Sequence, residues 1–150
     1  MELQTRLKDK IDELIQLNLN KGIAPHELMQ NIYQDEYIEV KANKHFDQLF
    51  CHVTFYDEGI FDEKKIKYEY RYIYNKDLYL QEVYQMKNKS VNLLWSRLQE
   101  EQALLTEIVE LFRLNSKAFK SFKSFLNTLP IEYQTMINDR LKSVKQTVGL

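Results

Sequence analysis

Cys51 and His52 are the adjacent residues that could supply a nucleophile and its general base. Residues 49–56 around them alternate between apolar and more polar positions, which predicts a β-strand. Neighbouring side chains on a strand point to opposite faces, so the thiol and the imidazole cannot hydrogen-bond directly. Cys51 falls on the apolar side with Val53 and Phe55, and we therefore predict a buried core thiol.

The sequence contains no recognisable motif for binding a metal ion or a phosphate group. The histidines, His26, His45 and His52, lack the paired spacing of a zinc-binding helix. The carboxylates at residues 57–63 lack the spacing of an EF-hand, which favours a solvated loop. With 3 glycines in the whole chain there is no glycine-rich phosphate loop. We predict no cofactor, no metal and no catalytic residue, while acid–base chemistry by dispersed carboxylates stays open.

A basic and aromatic stretch near the C-terminus is the candidate for nucleic-acid binding. Lys117, Lys120 and Lys123 recur at a spacing of three, which forms a slanting stripe on a helix. Together with Arg113 this stripe could contact phosphates. Residues 111–150 hold 7 of the 21 Lys and Arg but 2 of the 22 Asp and Glu. Because the whole chain has a net charge of −1, we favour a solvated helix face and keep nucleic-acid binding as the alternative.

The segment 65–74 is the candidate recognition strand. It alternates strictly, with Tyr68, Tyr70, Tyr72 and Tyr74 on one face and mostly charged residues on the other. Tyrosines can cover the edge of a core while their hydroxyls reach water, which is the plainer interpretation. They also provide rigid contact area at binding sites. If this face is open, we predict that the four tyrosines contact a protein partner.

The elements around this strand predict an α+β fold. Leu3, Leu7, Ile11 and Leu14 recur at helical spacing, and Gly22 and Pro25 separate this helix from a second one. Short turns between strand-like segments predict a central four-stranded antiparallel meander at about 36–85. Helical periodicity returns at about 90–147, and we expect these C-terminal helices to pack on the sheet. The 150 residues are expected to form a single domain, 1–150.

An apolar stripe at 91–112 predicts a further contact. Leu94, Leu98, Leu105 and Ile108 belong to a pattern with a seven-residue repeat, which is typical of helices that pack on two sides. We interpret these four residues as a candidate self-association seam, so a homo-oligomer is one expectation.

Composition and layout narrow the class of function. No apolar run approaches the roughly 20 residues that span a bilayer, and the N-terminus has no pattern of a secretory signal, so we expect a cytoplasmic protein without a membrane partner. The layout resembles in outline small bacterial regulators, inhibitors and toxin-neutralising immunity proteins. We therefore predict a non-enzymatic protein–protein interaction module of this kind. The weaker alternative is a small-molecule binder or enzyme with a pocket between sheet and helices.

Overall fold

The computed structural model describes residues 2–34, 37–58, 65–114 and 119–147. The predicted loop at 60–64, with Asp62 and Glu63, lies outside these residues. Five α-helices occur in the described chain: α1 (Glu2–Leu19), α2 (Pro25–Gln30), α3 (Arg97–Leu114), α4 (Phe119–Leu126) and α5 (Ile131–Thr147). A short 3₁₀ turn, Asn31–Tyr33, follows α2.

Between α2 and α3 the described residues form five antiparallel strands. They are β1 (Tyr37–His45), β2 (Gln48–Glu58), β3 (Lys65–Tyr74), β4 (Leu80–Lys87) and β5 (Ser90–Ser96). Their order in the sheet is their order in the sequence, so each strand pairs with its chain neighbours. The α+β class and the antiparallel meander are therefore confirmed, with five strands where the sequence predicted four.

The additional strand corrects the prediction of a helix from Ser90. Val91 and Leu94 match a helical repeat, but Asn88 turns the chain back at a φ of 54° and β5 pairs with β4. Pairing along β4 overrides a short local pattern, because a helix and a strand can both accommodate a few apolar residues. The helix begins instead at Arg97, where the Ser96 hydroxyl accepts a hydrogen bond from the Gln99 N–H at 3.3 Å. This Ser-x-x-Gln spacing is a recognised helix-start signal.

The chain divides into two compact units, and the single-domain prediction stays a prediction. The sheet unit comprises Asn20–Gln99, and the helical unit comprises Met1–Leu19 and Glu100–Leu150. Among the described residues of the sheet unit, a buried core lies on one side of the sheet, and partly buried aromatic and aliphatic residues pack around it. The core residues are Leu28, Cys51, Val53, Tyr74 and Leu80. Burial of Cys51 confirms the core-thiol prediction, and the apolar surroundings raise the pKa of the thiol.

The helical unit has its own hydrophobic cluster. In α1 the predicted apolar face is confirmed, since Leu7, Ile11 and Leu14 are all buried. Residues of three other helices complete the cluster: Leu105, Ile108, Leu111, Phe112, Leu126, Tyr133 and Ile137. Apolar side chains at helical spacing thus meet one another in a shared core.

Strand register sorts the side chains of the sheet into two faces. Cys51 lies opposite Tyr72 and Val53 lies opposite Tyr70, which defines the tyrosine face. His52 lies opposite Arg71 on the other side, which we call the polar face. Cys51 and His52 therefore point to opposite sides of the sheet, as their alternation predicts.

Candidate functional site

Two turns at one end of the sheet hold bulky apolar residues in an unfavourable backbone conformation. The first turn joins β1 to β2, and its flanking residues His45 and Gln48 are paired across the hairpin. Phe46, at the first central position, has a φ of 54°. A turn with a positive φ at this position usually carries glycine there, because a Cβ atom crowds the backbone.

The second turn joins β3 to β4. The Asn75 side-chain oxygen accepts hydrogen bonds from the N–H groups of Asp77, at 3.1 Å, and Tyr79, at 2.9 Å. The Leu78 N–H donates to the Asn75 carbonyl at 3.0 Å. These bonds hold Leu78 at a φ of 64°. An Asx-type turn therefore fixes a leucine in a conformation that suits glycine or asparagine.

Both strained residues line the same cavity. The cavity encloses about 420 Å³ between the two turns. Phe46, Leu78 and Leu49 supply its apolar wall. Lys44 and Lys76 supply positive charge beside it, and Asp47 supplies one negative charge. Phe46 is 84% exposed and Leu78 is 46% exposed, so their side chains remain largely open to solvent. Neither lysine forms an ion pair with a residue that the structure describes.

Sequence reasoning did not find this cavity, although one signal was present. The turn between two alternating segments reads His45-Phe46-Asp47-Gln48, where asparagine or glycine is expected in place of phenylalanine. Leu78 carried no comparable signal, since residues 75–77 already looked like an ordinary polar turn. The expected pocket lay between sheet and helices, whereas this cavity lies between two turns of the sheet unit.

The predicted contact tyrosines are packed to different degrees. Phe55 stacks on Tyr68 with ring centres 5.5 Å apart and contacts Tyr70 at 5.1 Å. Tyr70 meets Tyr72 edge to face at 6.4 Å. All three tyrosines are half-buried, so partner contact through them stays a prediction.

Tyr74 differs from the other three tyrosines because it is fully buried. Its hydroxyl donates a hydrogen bond to the Ile23 carbonyl at 2.5 Å. Burial raises the pKa of Tyr74 far above its usual value, and it also raises the pKa of Tyr72. A side chain without exposed surface offers a partner nothing to contact, so we assign Tyr74 a structural role.

Several pairs of side chains contact each other on the polar face of the sheet. His52 Nδ1 lies 2.6 Å from a carboxylate oxygen of Glu69. The Tyr84 hydroxyl donates to Glu82, and this bond raises the pKa of Tyr84. Arg71 Nη2 contacts the Met86 sulfur at 3.6 Å. The His52–Glu69 and Arg71–Met86 contacts join neighbouring strands on the face opposite the Cys51 thiol, whereas the bond between Tyr84 and Glu82 lies within β4.

The candidate self-association residues do not lie along one helix face. Leu94 belongs to β5, and Leu98 lies in the first turn of α3. Both are exposed, at 52% and 64%. Leu105 and Ile108 are buried in the helical unit, where they contribute to its core. The heptad interpretation is therefore wrong for Leu94, because residues 90–96 are a strand, and self-association itself stays a prediction.

The basic residues of the nucleic-acid alternative are only partly described. Arg113 is exposed near the end of α3 and lies 3.5 Å from Glu110. Lys117 lies outside the described residues, and Lys120 lies in α4. Lys123 is exposed in the last turn of α4. Phosphate binding by this set stays a prediction.

Two further observations concern ligands and membranes. Among the residues that the structure describes, no three His, Cys, Asp or Glu side chains are grouped as a metal site would require. Over the same residues, no helix combines the length and the apolar character needed to cross a membrane.

Comparison of the chain with protein-family models, with curated proteins and with solved structures finds no match.

Proposed function

We propose that this protein is a non-enzymatic regulator or inhibitor that binds a protein partner at the cavity between the β1–β2 and β3–β4 turns. One observation carries the proposal: Phe46 and Leu78, both bulky, apolar and exposed, have left-handed backbones and line the same cavity. Unfavourable backbone conformations that converge on one surface are a feature of binding sites.

The contacts of Phe46 within the chain do not fully offset the cost of its backbone conformation. A left-handed conformation costs a residue with a side chain roughly 1–2 kcal/mol. Phe46 recovers part of this through an edge-to-face contact with His45, at 4.6 Å between ring centres. Such a contact contributes about 0.5–1.5 kcal/mol, and less when it is exposed to water. An apolar contact with a partner provides a reason for phenylalanine at this position.

The β4–β5 turn has the same backbone feature as the β1–β2 turn but has a different residue at its first central position. Asn88 begins the two-residue turn between β4 and β5, and its φ is also 54°. Asparagine tolerates this conformation because its short polar side chain can bond locally. Phe46 and Asn88 thus occupy equivalent positions in their turns. Phe46 presents a large apolar side chain there, whereas Asn88 presents a small polar one.

The chemistry of the cavity defines the class of partner. The wall formed by Phe46, Leu49 and Leu78 fits one bulky apolar side chain. Beside this wall two lysines, Lys44 and Lys76, outnumber one carboxylate, Asp47, and the excess positive charge favours carboxylates next to that side chain. We therefore expect a polypeptide segment with an aromatic or aliphatic residue flanked by Asp or Glu.

Selection from a displayed random peptide library tests this expectation with the purified protein. Wild type is expected to enrich peptides with an apolar residue between acidic ones. Phe46→Asn is expected to keep or raise the free energy of unfolding, by up to about 1 kcal/mol, because asparagine suits the backbone. The same variant is expected to lose at least tenfold in affinity for the selected peptides, measured by calorimetry.

Tyr33→Ala is the matched control, since Tyr33 is an almost fully exposed aromatic residue of the same unit. This variant is expected to bind the selected peptides like wild type. Enrichment of no peptide class, or equal binding by Phe46→Asn, would contradict the proposal. Urea unfolding of each variant separates a loss of contact from a loss of fold.

A further inference from the structure

We infer that strand β5 is a self-association edge through which two copies of the chain join their sheets. β5 ends the five-stranded sheet and pairs with β4. Its first five residues are exposed, with Val91 60% exposed. The backbone groups on the outer side of an edge strand are a template for a further strand. None of residues 90–96 lines the cavity between the two turns.

The two edges of the sheet differ in charge. The other edge, β1, carries Glu39, Lys41 and Lys44, as is usual for edges that avoid pairing. β5 has the sequence Ser-Val-Asn-Leu-Leu-Trp-Ser, without a charged residue or a proline. An uncharged strand meets no charge repulsion from its own copy, whereas a strand added to β1 would have to displace water from Glu39, Lys41 and Lys44.

Register supports a second copy as the occupant. In the β4–β5 hairpin Lys87 pairs with Ser90 beside the two-residue turn, and Asn92 pairs with Gln85. Hydrogen-bonded pairs alternate along the regular part of an antiparallel ladder, which here ends at Leu93, before the register shift between Tyr84 and Val83. The N–H and C=O groups of Val91 and Leu93 are therefore directed away from β4. These are the groups that a strand from outside would bond.

A two-fold axis through Asn92 satisfies these groups symmetrically. Val91 then lies opposite Leu93 of the partner subunit, and Leu93 lies opposite the partner's Val91. Both residues are on the polar face, as their pairing with Met86 and Tyr84 shows. The axis thus forms two hydrogen-bonded pairs and one four-residue apolar cluster. Asn92 faces the partner's Asn92 on the tyrosine face.

The contact is small for an interface, because it consists of one strand and a few apolar side chains. Stable interfaces bury roughly 1,200–2,000 Å² in total. We therefore expect a concentration-dependent equilibrium, observed as a rise from one to two times the chain mass of 18.1 kDa. Sedimentation velocity between about 1 μM and about 1 mM covers the range of affinities that such a contact gives.

Leu93→Lys tests the edge, because it places a charge opposite the partner's Val91. This variant is expected to weaken association at least tenfold and to stay folded, since Leu93 is exposed. Asn43→Lys places the same charge on β1 and is expected to associate like wild type. Leu98→Lys, on an exposed residue of α3, is expected to do the same.

Engineered cysteines test the register. Asn92→Cys is expected to form a disulfide between two copies under oxidation, because directly opposed Cβ atoms lie about 4.5–5.5 Å apart. Ser90→Cys is the control, since the two copies of this residue would lie about 14 Å apart. A monomer throughout the concentration range, association of Leu93→Lys like wild type, loss of the dimer in Leu98→Lys, or equal crosslinking at both positions would overturn the inference.

Discussion

Some residues of the sheet unit stabilise the fold, whereas others adopt a backbone conformation that destabilises it. The Tyr74 side chain is buried, and its hydroxyl donates a hydrogen bond to the Ile23 carbonyl. Both features stabilise the fold. Phe46 is exposed at an unfavourable φ, and it weakens the hairpin that carries it. Substitution of a buried, hydrogen-bonded residue such as Tyr74 is expected to lower stability. Substitution of an exposed residue such as Phe46 is expected to weaken binding of a partner.

Tyr74→Phe is expected to lower the free energy of unfolding by about 1–3 kcal/mol, since it leaves a buried carbonyl without its donor. Urea unfolding at neutral pH measures this loss. Tyr72→Phe is the control, because the Tyr72 hydroxyl has no hydrogen bond to a residue that the structure describes. An equal loss in both variants would contradict a specific role for the bond to Ile23.

The raised pKa of Tyr74 also predicts a pH dependence. Below about pH 10 tyrosine is protonated in both states, so this group adds no slope. Above that pH the unfolded chain loses the proton while buried Tyr74 keeps it, and stability falls by about 1.4 kcal/mol per pH unit. Tyr74→Phe is expected to reduce this alkaline slope, measured by urea unfolding at a series of pH values.

At the scale of elements, the segment after α1 is tied to β4 at close range. The Leu80 N–H donates to the Lys21 carbonyl at 2.8 Å. Arg97 adds bonds to the carbonyls of Leu80, at 2.7 Å, and Asn20, at 2.9 Å. The Arg97 guanidinium also lies over the rings of Tyr79 and Trp95. These contacts attach residues 20–23 to the sheet.

Gly22→Ala is expected to destabilise this attachment by roughly 2 kcal/mol. Gly22 has a φ of 83°, and a Cβ atom there would lie 3.0 Å from the Leu80 Cβ. Gly22→Asn separates the cost of the positive φ from the cost of the contact with Leu80. Asparagine tolerates the positive φ but still adds a Cβ atom. Thermal unfolding is expected to rank glycine first, asparagine second and alanine third. Equal stability of wild type and the alanine variant would contradict the close approach.

At the scale of the whole molecule, the sheet unit is one continuous segment and the helical unit is not. The sheet unit has its own buried cluster, and its strands pair with their neighbours along the chain. Sequential pairing requires only short loop closures, which favours folding of the segment by itself. The helical unit needs both ends of the chain to complete its core.

A fragment of residues 20–99 is expected to fold without the rest of the chain. Circular dichroism is expected to show strand content, and urea is expected to unfold the fragment in a cooperative transition. Its stability is expected to be a few kcal/mol, because few residues are fully buried. A disordered fragment would instead support the single domain that the sequence predicted.

Local patterns determined the parts of this protein that depend on neighbouring residues. The alternation of 65–74, the helical spacing of Leu7, Ile11 and Leu14, and the burial of Cys51 were predictable, because each follows from one apolar face that must avoid water. The strand at 90–96 was not predictable in this way. A short apolar run fits either period, and the neighbouring strand β4 decided the outcome.

The candidate surfaces were decided only by tertiary structure. Phe46 and Leu78 lie 32 positions apart in the sequence, and they line one cavity because the meander brings two turns to the same end of the sheet. Likewise, the sequence could show that 90–96 has no charge, but only strand order made it an edge. The periodicity of apolar residues determines which residues are buried. Long-range strand pairing determines which exposed residues lie together, and a recognition surface depends on that placement.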